Sequence, residues 1–170
     1  MEFDKLIHAR YSVRAYKPES IPDRDLAAVL EAARLAPTAA NRQAFRILVL
    51  RTAGREQELK QIYGRDWFVQ APVVVSVCTL TDSCWVRGDG KSYGDVDAAI
   101  VMDHLILAAA NRGLGSCWIG AFDAEAARRI LKLPEHVEPV AFTPLGYPAD
   151  RPGVRKRRPI DRLVYRDAWS

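Results

Sequence analysis

The stretch from Asp95 to Ala121, DVDAAIVMDHLILAAANRGLGSCWIGA, constrains this chain more than any other. Between Val96 and Ala110 only Asp97, Asp103 and His104 are not apolar, so a helix here is apolar on nearly every side and belongs in an interior. A membrane span needs about 20 apolar residues, and Asp103 with His104 breaks the run well short of that. The stretch therefore reads as a buried central helix. Asp95 and Asp97 are positioned to cap its free N–H groups and to face the positive end of its dipole. Gly113 is positioned to end it in the left-handed conformation. Ser116–Ala121 then reads as a short strand ending on small residues, where backbone can approach a flat ligand closely. Glycines kept only for packing are the plainer account of the same stretch.

At 170 residues the chain is one domain by length, 1–170, and is large enough to bury a core. Hydrophobic residues at 49% and charged residues at 27% exclude disordered and collagen-like classes. The net charge of +4 is compatible with an anionic small molecule or with nucleic acid and chooses neither. Cys78, Cys84 and Cys117 make an odd count without a CxxC pair, which argues for a reducing compartment. His8, His104 and His136 are scattered at no zinc-ligand spacing, so no metal is expected. MEFDKLIHAR lacks a continuous apolar signal region, and the expected location is the cytoplasm, with no membrane attachment.

In chain order, Phe3, Leu6 and Ile7 share one face of a short helix. In an extended Arg10-Tyr11-Ser12-Val13-Arg14, alternation puts Arg10, Ser12 and Arg14 on one side. A solvated edge with ordinary arginines is the commoner meaning of such a run. Asp23 or a neighbour caps a helix through Leu26, Val29, Leu30, Ala33 and Leu35 that Pro37 stops. Ala36–Gln43 is a loop whose Asn41 and Gln43 offer both donors and acceptors, entering the strand Phe45–Leu50. Turn formation accounts for Asn41 equally well. Gly54–Tyr63 reads as a polar surface helix and Pro72–Leu80 as a buried strand, with Cys78 in the core.

Thr81–Gly94 reads as a loop carrying Trp85 and Tyr93, and a lid and a connector both fit it. Asp123 caps a helix through Ile130 and Leu131, and a strand follows from Val137 to Leu145. The tail is basic, with Arg151, Arg155, Lys156, Arg157, Arg158 and Arg162. No aromatic residue interleaves that cluster and no recognition motif accompanies it, so nucleic acid is not the expected partner. No G-x-G-x-x-G leads from a strand into a helix, and a Rossmann reading is unsupported.

Three of these motifs and the tail together resemble the nitroreductase family of flavin-dependent oxidoreductases across nearly the whole chain. They are Arg10-Tyr11-Ser12-Val13-Arg14, Ala36-Pro37-Thr38-Ala39-Ala40-Asn41-Arg42-Gln43, Gly113-Leu114-Gly115-Ser116-Cys117-Trp118-Ile119-Gly120, and the basic Lys156-Arg157-Arg158-Pro159. The resemblance implies an α+β fold, with a central, mainly antiparallel sheet surrounded by helices, in an intertwined homodimer with FMN at the subunit interface. It implies that Arg10, Ser12, Lys156 and Arg158 hold the FMN phosphate, with Tyr11 beside them and Arg14 at the pyrimidine edge. Thr38, Asn41 and Gln43 then reach the flavin from the other subunit, and Gly120 and Ala121 lie beside the ring, with a Gly120 backbone N–H facing N5. Ala44-Phe45 and Tyr11 depart from the Pro-Trp and the arginine frequent there.

The implied activity passes hydride from NADH or NADPH through flavin N5 to an electron-poor small molecule such as a nitroaromatic or quinone. The cofactor then carries the chemistry and no acid or base need be named. Trp85 and Tyr93 are candidate substrate contacts, with packing an equal alternative. Two other readings stay open: a flavin enzyme of this fold with another reaction, such as reductive dehalogenation or metabolite dehydrogenation, and a non-catalytic basic binding module.

Overall fold

Four strands carry the hydrophobic pattern into one sheet. The computed structural model describes residues 1–169. Strands β1 (Phe45–Arg51), β2 (Val73–Leu80), β3 (Gly115–Ser116) and β4 (Val137–Gly146) stand in the order β1-β2-β4-β3, each neighbouring pair antiparallel. β2 is buried at every position but its last, because both faces of this central strand are covered. Its alternation sorts the core. Val73, Val75 and Val77 join one cluster, and Val74 joins a second with Leu50, Leu59, Ile62, Phe68 and Phe142.

Helix α5 (Gly94–Asn111) covers the first face together with α2 (Asp23–Arg34), burying Ala98, Val101, Met102, Leu105 and Ala109. Each large apolar side chain buried there contributes about 1.5–3 kcal/mol. Within one chain α5 is not enclosed all round. Val96 and Asp103 are exposed and Ile100 and Leu107 half-buried, one stripe that the chain itself leaves uncovered. Helix α1 (Phe3–Ala9) buries only Leu6 and leaves Phe3 and Ile7 exposed. Among the described residues no helix is long and apolar enough to cross a membrane.

Helix ends follow the sequence in part. Gly113 takes φ +73°, and Leu114 N–H reaches back to the Ala109 carbonyl at 2.9 Å, the expected left-handed stop. Asp123 caps α6 (Ala124–Leu131) by accepting from Ala126 N–H at 2.8 Å, as expected. The N-terminus of α5 does not follow expectation: Asp95 is exposed and makes no cap, and Asp97 accepts from Ala39 N–H at 2.9 Å. Asp97 sits a full turn inside the helix, where its carboxylate faces the neighbouring loop. Asp23 is not a cap either. Pro22 holds that place in extended conformation, and its carbonyl accepts from Asp25 and Leu26.

Gly54–Tyr63 is not a polar surface helix. Only α3 (Glu56–Leu59) is helical there, and Leu59 and Ile62, three residues apart, turn into the second core cluster. A short helix that the pattern did not signal, α4 (Asp66–Gln70), follows and buries Phe68. The strand expected over Ser116–Ala121 is shorter. Cys117 N–H donates to Thr143 Oγ1 at 3.0 Å instead of to a strand carbonyl, and pairing resumes only at Ile119 opposite Phe142. A side-chain hydroxyl has taken a ladder position.

Gly115 allows a very close approach between the N-terminal segment and β3. A Cβ there would stand 2.6 Å from Val13 Cγ2 and 2.9 Å from Val13 Cβ. Gly115→Ala is therefore expected to cost about 1–3 kcal/mol of unfolding free energy, as overpacked interiors do. Urea unfolding checks this, and an unchanged midpoint would contradict it.

Candidate functional site

Residues 10 to 17 run along the β3 edge of the sheet as an added, irregular strand. Ser12 pairs in parallel with Ser116, and Val13 N–H donates to the Ser116 carbonyl at 3.0 Å. Farther along, Lys17 N–H donates to the Tyr147 carbonyl at 2.9 Å and Ala149 N–H to the Ala15 carbonyl at 2.8 Å. Val13 is 1% exposed, so alternation turns Ser12 and Arg14 outward. Asp150 clamps the same segment. One of its oxygens accepts from Arg14 N–H at 2.8 Å, and Tyr11 Oη donates to its carbonyl and carboxylate at 2.9 and 3.2 Å. Burial, then the Asp150 charge and its hydrogen bond, raise the Tyr11 hydroxyl above the ordinary tyrosine range.

Against this edge lies a cavity of about 290 Å³ lined by Arg10, Tyr11, Ser12, Arg14, Gly153, Val154, Arg155 and Arg157. Four arginines line it, and among the described residues no aspartate or glutamate does. Arg155 is anchored by donating to the backbone carbonyls of His8 and Arg10, which ties the tail to the N-terminal segment. Arg10, Arg14 and Arg157 enter none of the ion pairs among the described residues. The buried Cys117 thiol lies close to this group. Burial pushes it up, opposed by the Arg14 charge and by the nearby Ser12 side chain.

Lys156 and Arg158 are exposed and do not line the cavity. In a segment without a helical turn, residues two apart share a side, and here the pair facing inward is Arg155 and Arg157. Asp150 is a further residue that sequence reasoning did not single out. Its only signal was Tyr11, a hydroxyl that needs a partner once half-buried.

Arg14 also lines a second, open cavity of about 460 Å³, with Tyr63, Arg65, Asp66 and Trp67. Asp66 is engaged by Lys60 at 2.7 Å, and the Tyr63 and Trp67 rings meet edge to face at 5.5 Å. Phe122 packs into the same apolar cluster, so the turn bearing Gly120 and Ala121 flanks this side. Both residues are exposed. The nearest neighbour of a Cβ at Gly120 would be Trp118 Nε1 at 3.9 Å, which leaves a clear approach to the backbone.

The amide loop stands apart from both cavities in this chain. Ala40, Asn41 and Gln43 hold φ of 50°, 53° and 51°, a left-handed conformation that non-glycine residues seldom adopt. Thr38 Oγ1 accepts from Gln43 N–H at 3.0 Å, and Gln43 Nε2 donates to Asn41 Oδ1 at 3.2 Å. Asn41 and Gln43 are exposed. Trp85 and Tyr93 pack on each other at 4.9 Å, with Arg87 donating to the Tyr93 hydroxyl at 3.2 Å, and neither ring lines a cavity described above. Cys84 donates to the Leu80 carbonyl at 3.0 Å and lies 2.9 Å from Thr79 Oγ1, closing the base of that loop.

A four-stranded antiparallel sheet under a long apolar helix, with an arginine-lined cavity at its edge, is an α+β arrangement shared with known proteins. The chain belongs to the nitroreductase family, whose sequence profile matches residues 7–72 and 57–147. A relative in Thermus thermophilus named NADH dehydrogenase is 31% identical, with 91% of each chain covered. A Bacillus subtilis protein named FMN reductase [NAD(P)H] is 27% identical over 93% of this chain and 70% of its own. The crystal structure of a nitroreductase family protein from Clostridium difficile 630 superposes with a TM-score of 0.89 at 32% identity, covering 99% of this chain and all of that one.

Tyr11→Phe removes the hydroxyl from Asp150 and is expected to cost about 0.5–1.5 kcal/mol of stability at neutral pH. The folded pKa is raised, so this advantage of the native residue is full below the ordinary value near 10 and declines as pH rises through the higher folded value. Urea unfolding of both proteins at pH 7 and above pH 10 measures it. A gap that widens with pH would contradict the assignment.

Proposed function

We propose that the protein is an FMN-dependent oxidoreductase that takes electrons from NADH or NADPH and delivers them to an electron-poor small molecule such as a nitroaromatic or quinone. The observation that carries this reading is the cavity lined by four arginines and Ser12, with no aspartate or glutamate among its described lining residues. A phosphate monoester carries nearly two negative charges and accepts several hydrogen bonds, and planar guanidiniums match it in geometry. The donor set fits that group. Bound FMN would supply the hydride-transfer chemistry.

The residues have divided tasks. Arg10, Ser12, Arg155 and Arg157 hold the phosphate. Lys156 and Arg158, exposed beside them, add to the positive field at longer range. Arg14, which lines both cavities, carries a fixed positive charge from the phosphate end towards the flavin and favours negative charge developing on the ring. Exposed backbone at Gly120 and Ala121 lets the ring lie close, with the Gly120 N–H as its donor. The wide second cavity leaves room for acceptors of varied shape, and Trp85 and Tyr93 stand outside the binding set.

The site is completed by a second copy of this chain. Thr38, Asn41 and Gln43 lie away from the cavities of their own chain, and the same chain exposes Phe3, Ile7, Val96, Ile160, Leu163 and Trp169. An intertwined homodimer covers these residues and brings the amide loop to the partner's flavin, and obligate dimers of this kind bury more than about 2,000 Å². Three free thiols suit the reducing cytoplasm.

Purified protein is expected to be yellow, dimeric by sedimentation, and bleached anaerobically by NADH or NADPH, with colour returning on addition of menadione. Arg10→Ala with Arg157→Ala is expected to weaken FMN binding by at least about a hundredfold, since each charge-assisted bond contributes roughly 1.5–3 kcal/mol. Lys156→Ala with Arg158→Ala is expected to weaken it less than about tenfold. Fluorescence titration of each pair with FMN measures both, and the reverse ranking would move the phosphate contact to the other side of the tail.

A further inference from the structure

Asp97 stands out among the groups that the proposed chemistry does not use. It is 2% exposed, yet it lies in the N-terminal half of the most apolar helix in the chain. Its Oδ1 accepts from Ala39 N–H at 2.9 Å, across 58 residues of sequence. Its Oδ2 is buried without a hydrogen-bond partner among the described residues. A buried carboxylate with one oxygen unsatisfied is costly, and a core helix would be served better by an apolar side chain at that position.

The cost is offset at the other end of the bond. Ala39 opens the turn in which Ala40, Asn41 and Gln43 are all left-handed without being glycine. Such backbone persists only where its surroundings over-determine it. Within the loop, Thr38 fixes Gln43 N–H and Gln43 fixes Asn41, so the loop is internally braced. The Asp97 bond is its tie to the helix. That acceptor is charged and lies near the positive end of α5, which strengthens it.

We propose that Asp97 is a positioning residue: a strut from the core helix that holds the 38–43 loop in its left-handed form and so sets Asn41 and Gln43 for the flavin of the partner subunit. This rests on the FMN reading given above. The carboxylate touches neither cofactor nor substrate and acts through the loop. It also explains why an acid stands in a helix otherwise built to be buried, and why it does not cap that helix.

Two substitutions cut the same bond from opposite ends. Asp97→Ala removes the acceptor. Ala39→Pro removes the donor, at the first residue of the turn and after an extended Thr38, where a proline ring is accommodated. Each is expected to raise the FMN dissociation constant of the dimer about tenfold and to speed amide exchange at residues 40–43. The double variant is expected to be no worse than the weaker single one, because coupled sites do not add. Asp97→Asn keeps an acceptor and is expected to restore binding to within about threefold of the native protein.

An unchanged dissociation constant and unchanged exchange in both single variants would overturn the proposal, as would fully additive effects. If Asp97→Ala fails to fold, Ala39→Pro and Asp97→Asn decide the matter, since neither opens a hole in the core. If the native protein takes up no FMN, the cofactor reading falls. Loop exchange in the native protein and Ala39→Pro still decides whether the strut exists.

Discussion

The contact on which the rest depends is the one between Val13 and Gly115. With no side chain at Gly115, Val13 packs directly against the β3 backbone and pins the N-terminal segment to the sheet edge at one register. A shift of one residue would turn Val13 outward and Ser12 and Arg14 inward, exchanging core for charge. Ser12 pairing with Ser116 and the Asp150 clamp on Tyr11 and Arg14 hold the same register through polar bonds. The arginine-lined cavity is thus a by-product of how an edge is packed.

Clustering four guanidiniums costs the free protein electrostatic repulsion, and the fold limits that cost in two ways. The cavity opens to water, which screens the charges, and Arg155 directs one donor each to the carbonyls of His8 and Arg10. What remains is a local positive field well beyond what a net charge of +4 suggests. Such a field favours an anionic group held by several donors at once, the basis of the proposed FMN site.

Helix α5 serves two ends of the molecule. Its buried stripe covers β2 and β4 and supplies much of the core, while its N-terminal half reaches the amide loop through Asp97. Its other stripe, with Val96, Ile100 and Leu107, stays partly open within one chain. A helix that is apolar on nearly every side but covered on only part of it accords with the proposed second copy. The loop it braces would then serve a site belonging to that copy.

Local rules decided a definite part of this protein. The apolar run after Asp95 determined the long helix, Gly113 its stop, Asp123 the cap of α6, and the valine run the central strand, because each depends on residues a few positions apart. Arg10, Ser12 and Arg14 were legible as a set for the same reason, since alternation is local, whereas Tyr11, on the other side of such a strand, entered only through the family resemblance. Partners far away in sequence were not. Nothing within reach of Asp97 shows that its carboxylate serves Ala39 rather than its own helix, or that Asp150 receives Tyr11. The arginine tail has no periodicity of its own, so the side of it that faces the cavity is set by the backbone carbonyls it meets, and only the folded chain brings those within reach.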